Sequence, residues 1–388
     1  MSHMGGIIDS FESRLYTGLD KPRKGTLYLA SVSGGADSVA MLAGLEALRK
    51  NTGFSLHCIH VEHGLRPALE SKGDALAVKE LCKNLSVPCR IAYIAQGRIS
   101  KYAASTGLGI EAAARVFRHG IFKRERQRIK ADWVLTGHTR DDALETILMR
   151  ILRGSGPAGL KSMPRLRGHL LRPILEMSRQ DILDYLKARG LSYRTDKTNL
   201  DTVYLRNKIR LLLIPFLDEN FPSWRKSLFS LAETQSHVAE YLTSQAREVL
   251  PWEEAGGPAN VKGLRLREED FMKAPPILRE EAVFAALNIL VRQGNSSPPR
   301  RKVIRRAVTE AKAHDLGPAR LERQNGYIKL GINKKKSGER GFSLLIKESG
   351  LYTLSERVWG REFGGAKGTS LIIQAGPEEK GDFSFSAK

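Results

Sequence analysis

The stretch Ser33-Gly34-Gly35-Ala36-Asp37-Ser38 decides the fold of this chain because of what stands on either side of it. Residues 26–32 form an apolar run of strand-forming side chains, and residues 39–48 carry apolar side chains at helical spacing. The glycines therefore stand where a strand turns into the first turn of a helix. Backbone N–H groups and the positive end of the helix dipole favour a bound phosphate at such a place.

The side chains of this loop also suit a phosphate. Gly34 and Gly35 allow the backbone to approach a ligand closely, and the hydroxyls of Ser33 and Ser38 add hydrogen-bond donors. The loop lacks the lysine of a Walker A sequence, which argues against a kinase or a GTPase. An ordinary strand–helix turn with Asp37 in the first helical turn is the alternative, and the flanking strand makes phosphate binding the better interpretation.

The loop resembles the pyrophosphate loop of the N-type ATP pyrophosphatases, a superfamily that includes GMP and NAD synthetases, tRNA thiolases and tRNA(Ile)-lysidine synthetases. The resemblance implies a parallel-sheet α/β domain that splits ATP between its α- and β-phosphates. An adenylated oxygen is left, which a nucleophile then displaces. The loop alone does not choose among the members of the superfamily.

The composition points to a polyanionic partner. The 388 residues include 63 Lys and Arg against 42 Asp and Glu, which gives a formal net charge of +21. Such an excess favours nucleic acid as the binding partner, although any single cluster of basic residues could also be a solvated face. The basic residues cluster at 115–130, at 334–336 and in a group comprising Arg300, Arg301, Lys302, Arg305 and Arg306.

Cysteine content and hydropathy limit the class of protein further. Cys58, Cys82 and Cys89 are too few and too irregularly spaced for a disulfide framework. The lack of a C-x-x-C pair argues against a structural zinc or an iron–sulfur site. No apolar run is long enough to span a membrane, so we expect no membrane partner and a cytoplasmic location.

Alternating strand and helix patterns in the first half of the chain predict a parallel α/β sheet. We expect strands at 26–33, 54–61, 89–95 and 132–136. We expect one helix to begin at residue 37 and three others to cover 68–85, 110–129 and 141–152. Helical patterns follow at 224–250, 277–291 and 302–313, and strand-forming runs at 327–330, 342–346 and 371–374. We expect three domains: a catalytic domain at 1–217, a helical tRNA-binding domain at 218–325, and a small β-rich domain at 326–388. The last domain is short in comparison with the longest members of the superfamily, which suggests that it is truncated.

Two histidines follow the second expected strand, in His60-Val61-Glu62-His63-Gly64-Leu65-Arg66. No third metal ligand follows His60 and His63 at useful spacing, so histidines lining the crevice end of a strand are the better interpretation. Ligands of α/β sheets bind at the carboxyl ends of the strands, which makes both residues candidates for nucleotide contacts.

An acidic cluster follows the fourth expected strand, in Thr136-Gly137-His138-Thr139-Arg140-Asp141-Asp142-Ala143-Leu144-Glu145-Thr146. Asp142 and Glu145 are neighbours on one helical face, and Asp141 stands four residues before Glu145. Stabilisation of the first helical turn by acidic residues is the structural alternative. The position at the sheet edge favours a bound cation: the ammonium of an amine substrate, or Mg²⁺ on ATP phosphates with Asp37 and Asp141 as its ligands.

Four segments resemble the tRNA(Ile)-lysidine synthetase family more specifically. Residues 60–66 are similar to its H-x-x-H-G-L-R motif, 111–115 to E-x-x-A-R, and 136–146 to T-G-H-x-x-D-D-x-x-E-T. Residues 196–210 are similar to D-x-S-N-x-D-x-x-x-x-R-N-x-I-R, with Thr198 in place of Ser. Family members often carry His where this chain has Thr139 and Gln where it has Ala143. The matches lie between residues 33 and 215, and beyond them only the architecture is similar.

The resemblance implies a ligase that forms a carbon–nitrogen bond, with ATP and Mg²⁺ as cofactors. ATP adenylates the oxygen on carbon 2 of the wobble cytidine in the CAU anticodon of an isoleucine tRNA, and L-lysine then displaces AMP. It implies ATP contacts from Ser33, Gly34, Gly35, Ala36, Asp37, Ser38, His60, His63, Arg115 and His138. It implies lysine binding by Asp142 and Glu145, catalysis by these two with Asp37 and Arg206, and tRNA binding by the group at 300–306.

Two other functions stay open at this point. A tRNA 2-thiolation enzyme of the same superfamily is the nearest, although the closest of these usually carry a C-x-x-C pair. A non-catalytic, nucleotide-dependent RNA-binding protein belongs to a different class, and the presence of Asp37, Asp142, Glu145 and Arg206 argues against it. The oligomeric state stays open too, a homodimer being one option.

Overall fold

The computed structural model describes residues 2–20, 22–65, 68–194, 205–255, 263–292, 301–310, 314–317 and 319–332, and strands at 341–346, 350–354, 371–375 and 381–386. The chain divides into two compact units, residues 1–239 and 240–388. The helices are α1 (Ser2–Gly18), α2 (Ala36–Thr52), α3 (Ala68–Asn84), α4 (Arg98–Thr106), α5 (Ile110–Ile129), α6 (Arg140–Leu152), α7 (Pro157–Leu160), α8 (Arg179–Ala188), α9 (Leu205–Lys208), the π-helical segment Ile209–Leu213, α10 (Ile214–Asn220), α11 (Trp224–Val249), α12 (Glu268–Lys273), α13 (Pro276–Arg292) and α14 (Arg301–Thr309). The strands are β1 (Leu27–Ser31), β2 (Ser55–Glu62), β3 (Cys89–Tyr93), β4 (Trp133–Thr136), β5 (Leu166–Arg167), β6 (Leu170–Leu171), β7 (Glu253–Ala255), β8 (Gly263–Arg267), β9 (His314–Asp315), β10 (Ala319–Gln324), β11 (Tyr327–Ile332), β12 (Gly341–Ile346), β13 (Gly350–Leu354), β14 (Leu371–Ala375) and β15 (Gly381–Ser386).

The first unit is built on a six-stranded sheet in the order β3-β2-β1-β4-β6-β5. Its strands pair in parallel except for β5, which runs antiparallel to β6. The chain passes from β1 through β2 to β3 and then returns to the other side of β1, so β1 and β4 flank a switch point where such sheets bind ligands. The predicted parallel-sheet α/β fold is confirmed.

Helices cover both faces of this sheet, as the apolar character of β1 requires. Tyr28 and Ala30 pack in one core with residues of α1, α2, α3 and α8, while Leu29 packs in the opposite core with residues of α4 and α5. A third apolar cluster, which includes Leu144, Ile209 and Leu228, joins α6 to the π-helical segment and α11. This cluster fixes the chain around residue 206 next to α6.

The expected elements of the first unit agree with the structure to within two residues at almost every end, and α5 agrees at both ends. The structure adds α1, α4, α8 and the short β5 and β6, which the sequence patterns did not predict. Strands of two residues offer too few alternating positions to be recognised from sequence.

The second unit contains a five-stranded antiparallel sheet in the order β7-β8-β11-β10-β9. Its core joins residues of α13 and α14 to β8, β10 and β11. The expected boundary between residues 325 and 326 falls in the turn of the β10–β11 hairpin, so strands of one sheet lie on both sides of it. Among the described residues, no helix is both long and apolar enough to cross a membrane.

Candidate active site

The phosphate loop between β1 and α2 is held in shape by its own side chains. The Ser33 N–H donates to Ser38 Oγ over 3.1 Å, and this hydroxyl donates to the Gly35 carbonyl over 2.9 Å. The Ser38 hydroxyl, expected as a donor to phosphate, therefore uses its hydrogen within the loop. Gly34 has a φ of +93°, which suits glycine alone. Because Gly35 has no side chain to cap α2, the N–H groups of its first turn stay available to a ligand.

The loop after β4 packs directly against the phosphate loop. A Cβ atom on Gly137 would lie 3.2 Å from backbone atoms of both Asp37 and Ser38, closer than most such contacts in proteins. Glycine at this position therefore lets the two loops touch. The contact brings His138 and Asp142 to the cavity that the phosphate loop lines.

The two acids of α6 each bind arginine side chains. Arg206 donates from Nε to Glu145 Oε2 over 2.7 Å and from Nη2 to Asp142 Oδ1 over 2.6 Å. Arg210 donates from Nη2 to Glu145 Oε2 over 3.0 Å, and Glu145 is only 1% exposed. Asp142 also accepts the Thr139 N–H over 2.9 Å in a capping box, so the helix-stabilising alternative applies to it as well. Both acids hold cations here, and these cations are guanidinium groups.

Asp37 and Asp141, the expected Mg²⁺ ligands, are linked through Arg179. Its side chain pairs with Asp37 Oδ1 over 2.6 Å, and its backbone N–H donates to Asp141 Oδ2 over 2.7 Å. Arg225 also pairs with Asp141, over 2.8 Å. Burial raises the pKa of Asp37, and Arg179 opposes that shift. In the described parts of the chain, neither acid belongs to a cluster of three side chains that could together bind a metal ion. Mg²⁺ commonly needs only one or two carboxylates when substrate phosphates supply its other ligands.

The cavity beside the phosphate loop has a volume of about 350 Å³ and a wall rich in arginine. Burial lowers the pKa of Arg172 to about 10, with repulsion from Arg115 as the next cause. The pKa of Arg118 shifts in the same direction for the same two reasons. Arg172 Nε is buried without a hydrogen-bond partner among the described residues. All three guanidinium groups stay charged near pH 7. An anion in the cavity would therefore reduce their mutual repulsion and accept a hydrogen bond from Arg172 Nε.

Most of the predicted site residues meet in two neighbouring cavities. His60 instead lies behind the loop, where Nδ1 is 2.8 Å from the Val32 carbonyl oxygen, and Gly34 shapes the loop. The first cavity is lined by Ser33, Gly35, Asp37, Ser38, His63, Arg115, His138, Asp142 and Arg206. The second is lined by Ala36, Asp37, Asp141, Asp142 and Glu145. Residues 66, 196–204 and 300 lie outside the described residues.

The basic group predicted to bind RNA belongs to the second unit. Arg301 pairs with the buried Glu281 over 2.6 Å and stacks on Phe284, with 4.4 Å from its Cζ to the ring centre. It therefore neutralises a buried acid, a role that the sequence did not reveal. The members with exposed side chains are Lys302, Arg305 and Arg306.

Seven basic side chains that line these cavities were not among the expected site residues. Arg118 and His119 lie in the basic segment 115–130, and Arg210 ends the 196–210 motif. The others come from parts of the chain without a motif, and only the fold brings them to the site. The seven are Arg118, His119, Arg172, Arg179, Arg194, Arg210 and Arg225.

We expect the free energy of unfolding to decrease as the pH falls from about 6.5 to about 4. The pKa of His119 and of His138 is lowered to about 4, mainly by burial, so the unfolded chain takes up protons in this window while the folded chain does not. Each histidine contributes at most about 1.4 kcal/mol per pH unit. Urea unfolding of the wild type and of His119→Gln at several pH values measures this. An equal pH dependence in both proteins would contradict it.

Comparison with known proteins gives a consistent family. A model described as a PP-loop domain matches residues 9–217. The tRNA(Ile)-lysidine synthase of Treponema denticola is 38% identical over 227 residues, 57% of this chain and 49% of the relative. That of Clostridioides difficile is 35% identical over 240 residues, 60% of this chain and 51% of the relative. That of Treponema pallidum (strain Nichols) is 35% identical over 324 residues, 79% of this chain and 65% of the relative.

The chain thus spans about half to two thirds of the length of these relatives. A solved structure, the U34-tRNA thiolase NcsA from Methanococcus maripaludis with its [4Fe-4S] cluster, matches with a TM-score of 0.50 and 17% identity. That match covers 60% of this chain and 81% of the thiolase. At this identity it supports the fold alone.

Proposed function

Because the chain belongs to the PP-loop family, we propose that it is an ATP-dependent ligase that joins L-lysine to a cytidine of tRNA. Lysine is attached to carbon 2 of the wobble cytidine in the CAU anticodon of an isoleucine tRNA, and the products are lysidine, AMP and pyrophosphate. The observation that carries the proposal is that the phosphate loop, the arginine wall and Asp142 line one cavity at the switch point of the sheet, with Glu145 linked to it through Arg206. The names of the relatives support this choice of substrates.

The ATP end of the proposed reaction uses the phosphate loop and the arginine wall. The first-turn N–H groups of α2 bind the β- and γ-phosphates, which leave as pyrophosphate. Arg115, Arg118 and Arg172 offset the negative charge of the triphosphate. The carboxylate oxygens of Asp37 and Asp141 are of the type that Mg²⁺ prefers, and this ion would neutralise the leaving pyrophosphate.

The lysine end uses the acid pair of α6. Arg206 is partly exposed and lines the first cavity, so it is placed to turn from Asp142 toward phosphate oxygens. That movement would leave Asp142 to accept the ε-ammonium of lysine and then its proton, because only the neutral amine attacks. Glu145, which is almost fully buried, keeps Arg210 in place.

The direct test is incubation of the protein with a CAU-anticodon isoleucine tRNA, Mg²⁺–ATP and radiolabelled lysine. We expect label in the tRNA and one AMP for each lysine incorporated. A transcript with uridine at the wobble position is the matched control and should stay unlabelled. Label in neither tRNA, with ATP binding intact, would overturn the proposal. We also propose that the protein acts in the cytoplasm, where tRNA is modified.

The exposed basic residues of α14 are proposed to bind tRNA phosphates. We expect the double change Lys302→Gln and Arg306→Gln to weaken tRNA binding and to reduce the slope of log K against log salt by about one unit for each lost contact. Affinity for ATP should not change, because the phosphate loop belongs to the other unit. The charge-matched control is Lys273→Gln with Lys329→Gln in the same unit. An equal loss in both double variants would show that only net charge matters.

A further inference from the structure

The three cysteines of the chain converge in the structure despite their irregular spacing. Cys58 of β2 pairs directly with Cys89 of β3 in the parallel register, and Cys82 of α3 packs on the same core. Their Sγ atoms all lie within 4.8 Å of one another. Cys58 and Cys82 are 2% and 1% exposed, whereas Cys89 is partly exposed. The fold thus creates a thiol cluster that spacing in the sequence argued against.

The cluster offers a metal ion three sulfur ligands, with Cys89 on its accessible side. A thiolate is the form of cysteine that binds metal ions. Metal binding would therefore release the protons of the three thiols.

We propose that Cys58, Cys82 and Cys89 bind one thiophilic metal ion of the Zn²⁺ class. Sulfur ligands about 2.3 Å from a tetrahedral zinc ion lie about 3.8 Å apart, so the three sulfurs need to approach by at most about 1 Å. An iron–sulfur cluster fits less well, because each of its thiolates binds a different iron and the ligands stand farther apart. A water molecule on the partly exposed side of Cys89 would complete the coordination.

The proposed ion would join three elements at one border of the sheet. β3 is the edge strand, β2 is its only neighbour in the sheet of the described chain, and α3 covers both. β2 also carries His60, which supports the start of the phosphate loop through the Val32 carbonyl. Metal binding should therefore stabilise the first unit.

The test uses the full-length protein, reduced and freed of metal with a chelator, and titrated with Co²⁺ as a spectroscopic probe for Zn²⁺. We expect thiolate-to-cobalt charge-transfer absorption that saturates at one ion per chain and disappears when Zn²⁺ is added. The chain contains three cysteines, so this absorption reports on the cluster alone. Zn²⁺ should also raise the melting temperature and protect the thiols from a thiol reagent.

Cys89→Ser is the main variant, because a serine at this partly exposed position leaves no fully buried hydroxyl. We expect its affinity for Co²⁺ to fall by at least about tenfold, since even the outer hydrogen-bond partners of metal ligands contribute that much. His57→Gln, a neighbour on the opposite face of β2, is the matched control and should bind Co²⁺ like the wild type. Lack of absorption in folded wild-type protein, or equal binding by folded Cys89→Ser, would overturn the proposal. Neither result bears on tRNA ligation, which is measured separately.

Discussion

Glu145→Gln should lower the free energy of unfolding by about 3 kcal/mol, the largest stability effect that we expect from a single change in this protein. Glu145 is 1% exposed and accepts hydrogen bonds from both Arg206 and Arg210. Removal of its charge leaves two partly exposed guanidinium groups with Asp142 as their one remaining close acid among the described residues, and this uncompensated positive charge beside a buried amide is the main source of the loss. Lysine binding by Glu145, which the resemblance to the family implies, would by itself predict a lower affinity for lysine and little change in stability.

Urea unfolding at pH 7 measures this effect, with the exposed Glu233→Gln of α11 as a control that should change stability by less than about 0.5 kcal/mol. If unpaired charge is the cause, addition of Arg210→Met to Glu145→Gln should restore part of the loss. A change below about 1 kcal/mol in Glu145→Gln would mean that water or a rearranged side chain compensates the two arginines.

Asp37→Asn should reduce tRNA-dependent, lysine-independent ATP–pyrophosphate exchange on the order of 100-fold. Asp37 stands in the first turn of α2 and lines both cavities, so the change removes a negative charge where the proposed Mg²⁺–pyrophosphate leaves. Stability should change by less than about 1 kcal/mol, because its ion pair with Arg179 is partly exposed.

The variant Arg179→Gln separates two roles of Asp37. If Asp37 acts only by holding Arg179, both variants should lose exchange equally; if it acts on the metal and pyrophosphate directly, Arg179→Gln should lose much less. Because burial raises the pKa of Asp37, exchange by the wild type should also fall as the pH is lowered toward that pKa. Exchange by Asp37→Asn at the wild-type rate would contradict the proposed role.

The sequence predicted those parts of the site whose residues lie within one short segment with a clear strand–turn–helix pattern. The β1–loop–α2 unit and the start of α6 combine a buried strand, a turn and a helix within a short segment, so their place at the sheet edge follows from the parallel fold. The bounds of α5 follow from its helical pattern, and they place Arg115 and Arg118 near the site.

The remaining contacts depend on residues far apart in the chain. Arg172 follows β6, a strand of two residues, and Arg179 begins α8, so neither could be connected to Asp37 or Arg115 before the fold was known. The cysteine cluster depends on the register between β2 and β3, which brings Cys58 opposite Cys89. Ser38 and His60 also support the loop from within, through the Gly35 and Val32 carbonyls, a role that the sequence did not reveal; their contacts with ATP stay a prediction.

The pairing of Asp142 and Glu145 with Arg206 and Arg210 has a consequence for the order in which substrates enter. Two carboxylates and two guanidinium groups cancel, so a free lysine ammonium meets no net attraction at α6. An anion in the neighbouring cavity would attract Arg206, one of these two arginines, and so release the negative charge of Asp142 toward the amine. On our proposal the enzyme would therefore follow a compulsory sequence, in which lysine binds well only after the nucleotide. Lysine would then bind weakly to the enzyme without nucleotide. The amine would enter only when the adenylated cytidine is present to react with it.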